Sequence, residues 1–154
     1  MHLRCDMDKA ILDRFISVYQ SLNKDNLQLL DEIYHPDIQF ADPLHAVNGL
    51  GELRDYFKNL YANVLSCEFA IEDSYVTENI QSKDDIAFIY WTMHYRHPKL
   101  NKGQAISVAG HSRLKFAGDK IINHRDYFDV GAMLYRHIPV LGSAVKYIDK
   151  RASA

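Results

Sequence analysis

Cysteine is scarce in this chain. Cys5 and Cys67 are the only two thiols in 154 residues, far apart and without a C-x-x-C partner, which argues against a disulfide framework or a zinc site and leaves them as buried or inert groups. An excess of one charge is also missing. Lysine and arginine number 18 against 20 acids, a net charge of −2, so the chain carries no electrostatic footprint for nucleic acid or an anionic membrane. Nowhere do about 18 apolar residues run together to span a bilayer. The opening "MHLRCDMDKAILDRF" places charges in every turn where a signal peptide needs an unbroken apolar stretch, and we expect a soluble cytoplasmic protein with no membrane span.

Linkers, repeats and low-complexity tracts are likewise absent, so we expect one domain over residues 1–154, with 131–154 as a C-terminal helical extension. There is no G-x-S-x-G elbow, no G-x-x-x-x-G-K-[ST] loop and no G-x-G-x-x-G fingerprint. His94 and His97 are three apart on an expected strand and face opposite sides, and no other spacing suits a metal. The sequence therefore implies neither cofactor nor metal.

What the chain does contain is a core. Hydrophobic residues make up 47% and charged ones 25%, a balance that suits one globular domain. From Asp8 to Leu22, Ile11, Phe15, Val18 and Leu22 recur at helical spacing, with Leu12 and Tyr19 widening the stripe. "LQLLDEIY" predicts a short second helix stopped by Pro36. "LGELRDYFKNLYANVL" predicts a third, with Leu53, Phe57, Leu60, Tyr61 and Val64 on one face. From Cys67 the period changes to two. "CEFAIEDSYVTE", "DIAFIYWTMHYRH", "QAISVAGHSRLKF" and "KIINHRDYFDV" read as four strands of an antiparallel meander. Helices first and strands after predict an α+β arrangement, a curved, mostly antiparallel sheet with helices closing it into a cone around a pocket.

The lone strand between the helices, "IQFADPLH", raises a chemical question. Alternation puts Asp42 on the same face as Ile38 and Phe40, and Pro43 ends the strand with the acid at its rim. Asp42 is either a proton-transfer group inside the cone or the cap of the turn into "LHAVNG". On the last strand Asp126 and His124, two residues apart, share a face, and they read either as a working pair or as structural partners of neighbouring charges. A carboxylate in an apolar pocket or beside a second carboxylate is raised toward the range useful for general acid–base work. We expect Asp42, Asp126 and His124 to carry any chemistry, with Phe15, Val18, Phe40, Phe57, Tyr61, Trp91, Val108 and Phe128 lining the pocket. The outward stripe Tyr90, Thr92, His94 and Arg96 mixes aromatic and polar character and predicts a homodimer through the outer face of the sheet.

The run "YHPDIQFADPLH", followed by "GLGELRDYF" and closed by "HRDYFD", resembles the nuclear transport factor 2-like superfamily, particularly its SnoaL-like and ketosteroid-isomerase-like branches. That resemblance implies the cone fold. It also gives Asp42 the place of the general base in ketosteroid isomerases. The oxyanion-hole tyrosine of that branch falls on Val18 by ungapped spacing, with Tyr19 one residue off, and its protonated aspartate falls on Gly110. "RDYFD", Arg125 to Asp129, is similar to the last strand of limonene-epoxide hydrolases, which implies water activation for Asp126; their Tyr-x-Asn pair corresponds to Phe40-x-Asp42. The resemblance implies a small apolar or polycyclic ligand, handled by an isomerase, cyclase or hydrolase or held by a non-catalytic binding or interaction module.

Overall fold

The computed structural model describes residues 2–78 and 84–153, with side chains from Asp8 onward, so that Cys5 lies outside the described side chains. Helix α1 (His2–Ser21) carries the expected stripe and buries Ile11, Leu12, Phe15, Val18 and Tyr19. Its last turn is closed by Asn26, whose side-chain amide donates to the Ser21 carbonyl at 2.8 Å and satisfies one of the carbonyls a helix end leaves open. A 3-10 turn, Leu27–Leu29, leads into α2 (Leu30–Ile33), shorter than the expected second helix because strand β1 (Tyr34–Ala41) begins at Tyr34 rather than Ile38. Pro36 lies within this strand. It falls where the ladder to the neighbouring strand shifts register, between Tyr34 and Gln39, a place where a missing N–H removes no rung.

A strand that periodicity did not reveal follows. β2 (Ala46–Asn48) pairs antiparallel with β1, Phe40 opposite Val47, in what reads from sequence as loop. Gly49, at φ 91°, then turns the chain into α3 (Leu50–Asn63), a conformation glycine adopts without a Cβ penalty. Leu53 and Phe57 of α3 are buried, and Leu60 and Tyr61 pack on the core's edge.

The remaining strands, β3 (Ser66–Glu78), β4 (Asp85–Arg96), β5 (Ile106–Ala117) and β6 (Lys120–Phe128), form the expected antiparallel meander. β6 also pairs in parallel with β1, Phe40 opposite His124. The sheet order is β2-β1-β6-β5-β4-β3. After β6 come α4 (Val130–Met133), a 3-10 turn at Tyr135–His137 and α5 (Leu141–Ala152). The α+β cone is the fold found. No helix among the described residues is long and apolar enough to cross a membrane.

Candidate functional site

The closed end of the cone is filled. His124 is 1% exposed and is surrounded by the rings of Phe40, Phe15, Tyr34 and Tyr19 at centroid distances of 4.9, 5.6, 5.9 and 6.0 Å. Its polarity is satisfied by a chain of hydrogen bonds. Nε2 meets Asp126 Oδ1 at 2.6 Å, and Nδ1 meets the Tyr34 hydroxyl at 2.6 Å. Donation from Nε2 to the carboxylate leaves Nδ1 to accept from Tyr34, whose hydroxyl lies 2.5 Å from that of Tyr19. On the other side the Ser112 hydroxyl donates to Asp126 Oδ1 at 2.5 Å and accepts from Trp91 Nε1 at 2.9 Å. Burial pushes both the Tyr19 and the Tyr34 phenol well above the ordinary range, and the Asp126 charge adds to this. Six side chains from α1 and four strands thus form one buried polar network.

Asp42 belongs to a different cluster. Its carboxylate is 5% exposed, and Oδ1 accepts the backbone N–H groups of Leu44 and His45, each at 2.7 Å. The Asp42 N–H in turn donates to the His45 carbonyl at 2.9 Å, so the acid closes the tight turn that returns the chain as β2. Two side chains complete its shell: the Tyr56 hydroxyl donates to Oδ2 at 2.7 Å, and His45 Nδ1 lies 3.2 Å from both oxygens. Burial and then the neighbouring Asp42 charge hold the Tyr56 phenol well above its ordinary value, with Asp126 adding to the same effect. Tyr56 therefore feels both carboxylates.

His45 and Tyr56 open onto a cavity of about 610 Å³. Its other walls include the α3 residues Asn59, Leu60 and Asn63, the sheet corner of Cys67, Met93 and Tyr95, the turn after β4 with His97, Lys99 and Leu100, and the C-terminal residues Met133, Leu134 and Ile138. Tyr95 fixes that closure by donating its hydroxyl to the Met133 carbonyl. Cys67 is a free thiol whose pKa burial, aided by the Glu68 charge, pushes up to about 12. Among the described residues no group of three or more His, Cys, Asp or Glu side chains is placed to hold a metal ion.

The SnoaL-like domain family matches residues 15–124, more than half of the sequence. The chain belongs to the SnoaL-like family. The matched span includes Asp42 and His124 and stops short of Asp126. No curated protein matches the sequence. Among solved structures, a SnoaL-like protein from Shewanella denitrificans is 20% identical, with a TM-score of 0.63 over 80% of this chain and 93% of its own. TsrD from Streptomyces laurentii is 16% identical, with a TM-score of 0.65 over 83% of this chain and 92% of its own. An LEH-like epoxide hydrolase from M. tuberculosis is 14% identical, with a TM-score of 0.60 over 80% and 84%. These likenesses are of fold.

Within this SnoaL-like cone the expected site residues divide between two places. Asp126 and His124 join the closed-end network, whereas Asp42 stands at the cavity wall behind His45 and Tyr56. Phe15, Val18, Phe40, Phe57, Trp91 and Val108 are buried in the core, Tyr61 and Phe128 are half-buried against it, and none of the eight lines this cavity. The physical reason is size. Trp91 lies over Gly110, where a Cβ would meet its ring, and packs against Phe69 and Phe128 at 5.3 and 6.3 Å, which fills the interior that a smaller residue would leave open. Sequence reasoning missed His45, Tyr34 and Tyr56 as polar contributors. The signal for His45 was its place three residues after Asp42, the first residue of a turn-forming Asp-Pro pair.

Proposed function

We propose that this domain binds a small, largely apolar molecule in the cavity and transfers a proton on it, in the manner of an isomerase, cyclase or hydrolase using its own side chains as acid and base. The observation that carries this reading is the Asp42–His45–Tyr56 cluster, in which the Asp42 carboxylate stands behind two side chains able to exchange protons, both of which line an otherwise mostly apolar hollow. Asp42 holds His45 by Nδ1, which turns the other ring nitrogen to the task of accepting or giving a proton, and Tyr56 stays protonated as a donor. Asp126, backed by His124, supplies the second negative charge acting on Tyr56. A second reading, a non-catalytic binding module, is favoured by the full set of donors already on Asp42. One experiment separates the two: solvent deuterium incorporation next to the carbonyl of aryl and cyclic ketones, followed by NMR. Exchange that requires Asp42 and His45 supports catalysis. Binding of the neutral probe N-phenylnaphthylamine with no exchange above buffer would assign a binding module.

We also place a homodimer on the outer face of the sheet and the protein in the cytoplasm, where Cys67 would stay reduced. Tyr75, Tyr90, His111 and Tyr127 form a row across four strands, with ring centroids 6.2, 5.3 and 4.9 Å apart, and Arg125 lies over Tyr127. Tyr75, Tyr90 and Tyr127 are 55%, 42% and 44% exposed, an aromatic surface of the kind that subunits cover. Sedimentation equilibrium should give a dimer that Tyr90→Glu converts to monomer. A wild-type monomer at high protein concentration would refute the assignment.

A further inference from the structure

Beside the apolar cavity lies a second depression of about 430 Å³, and the two share Lys99 and Ile138 in their walls. The character of the second is different. Lys99, Lys102, Arg136, His137 and Lys146 line it, and no lining residue is a carboxylate. Arg136 is committed, with Nε 2.8 Å from Asp149 and Nη1 3.0 Å from Asp129. Lys99, Lys102 and Lys146 have no carboxylate partner among the described residues. The three lysines share the walls of one depression, where like charges repel, and the two acids at its edge, Asp129 and Asp149, are taken up by Arg136.

The backbone is also held in an unusual way here. Asn101, Lys102 and Val140, at φ 47°, 55° and 67°, are the non-glycine residues with positive φ among those described. Asn101 and Lys102 line the groove, and Val140 lies between its lining residues Pro139 and Gly142. Left-handed backbone is costly for a β-branched residue and gathers at ligand clamps more than elsewhere.

We propose that the ligand of this domain is an amphipathic anion, with its apolar body in the cavity and its carboxylate, sulfonate or phosphate in the groove on Lys99, Lys102 and Lys146. Lys99 stands at the junction and reaches both parts. The inference rests on reading the cavity as the ligand site, and it narrows that reading to one chemical class. It also sets the polarity of the bound molecule: the charged end lies toward the C-terminal segment and the apolar end toward Tyr56 and His45.

The test is a fluorescence titration with two probes of similar aryl body, the anion anilinonaphthalene sulfonate and the neutral N-phenylnaphthylamine. The anion should bind about tenfold more tightly at low salt, the scale of one or two charge-assisted contacts, and lose that advantage as salt rises. In the surface variant Lys99→Gln/Lys102→Gln/Lys146→Gln the ratio of the two affinities should fall toward one. Equal affinities in the wild type, or a ratio that survives the triple substitution, would overturn the anion site while leaving the apolar cavity standing. Failure of both probes to bind would instead overturn the cavity reading and this inference with it. Sedimentation with phosphatidylglycerol vesicles assigns the source of the anion: protein remaining in the supernatant supports a free amphipathic acid, and salt-sensitive pelleting refutes it in favour of a lipid headgroup.

Discussion

A methyl group at Gly110 would lie 2.7 Å from Cζ3 of Trp91, and neither the sheet backbone nor a buried indole held by Ser112 can retreat far. Gly110→Ala should therefore lose about 1–3 kcal/mol, the usual result of overpacking a core. In urea denaturation the loss should shrink when Trp91→Leu is present, because the two residues compete for one space. Asp42 makes a second prediction at this scale. Asp42→Asn keeps an oxygen for the Leu44 and His45 amides, whereas Asp42→Ala leaves both of them and the Tyr56 hydroxyl without an acceptor. Alanine should cost roughly 1–3 kcal/mol and asparagine clearly less. An asparagine loss as large as alanine's would mean that the retained oxygen does not hold the Leu44 and His45 amides. The inward direction of Asp42 and the shared face of His124 and Asp126 were legible from alternation alone. Their separation into two clusters was not, because strand period specifies a face and says nothing about which neighbour's side chain fills the space in front of it. Tyr19 shows the same limit. Its place on the buried stripe was legible, but the Tyr34 hydroxyl that receives it sits on another element.

At the scale of elements, α5 contrasts with the sheet. Only Gly142 of this helix is buried, pressed against the Arg136 carbonyl, while Leu141, Tyr147 and Ile148 are exposed. Arg136 to Asp149 is the one described ion pair that ties it down. Amide protons of α5 should exchange at least about 100-fold faster than those of β4 and β5, since few buried contacts oppose local opening. Protection equal to the sheet's would show that a partner covers the helix. The meander and α1 could be read directly because their apolar periods are long and unbroken. β2 could not, since three residues show no period; it exists because the Asp42 turn aims the chain back along β1. The early start of β1 was hidden by Pro36, a residue that usually signals an end and here occupies a register shift.

For the molecule as a whole, burial of weak acids sets the response to alkali. Burial raises Cys67 from 9.0 to about 12 and Tyr95 from 10.0 to about 12, and it lifts Tyr56 and Tyr61 further. Above pH 9 the unfolded chain has begun to release protons that the folded chain retains. The stabilisation from these groups is thus complete below pH 9 and is lost as pH rises toward 12. Thermal melts should show a falling midpoint across that window, and native Cys67 should resist iodoacetamide at pH 8 until urea is added. The position of β6 has a consequence of its own in time. Its central place between β1 and β5, with Phe40 opposite His124, means that a strand made early finds its neighbour only after most of the sequence has emerged. Until then β1 and β2 can form only a hairpin with an open edge, and the rings of Phe15, Tyr19 and Phe40 lack the imidazole they enclose. Closing so long a loop is slow. A nascent chain halted before residue 120 should consequently be prone to aggregation and protease-sensitive, and the step that completes the domain is the insertion of its last strand.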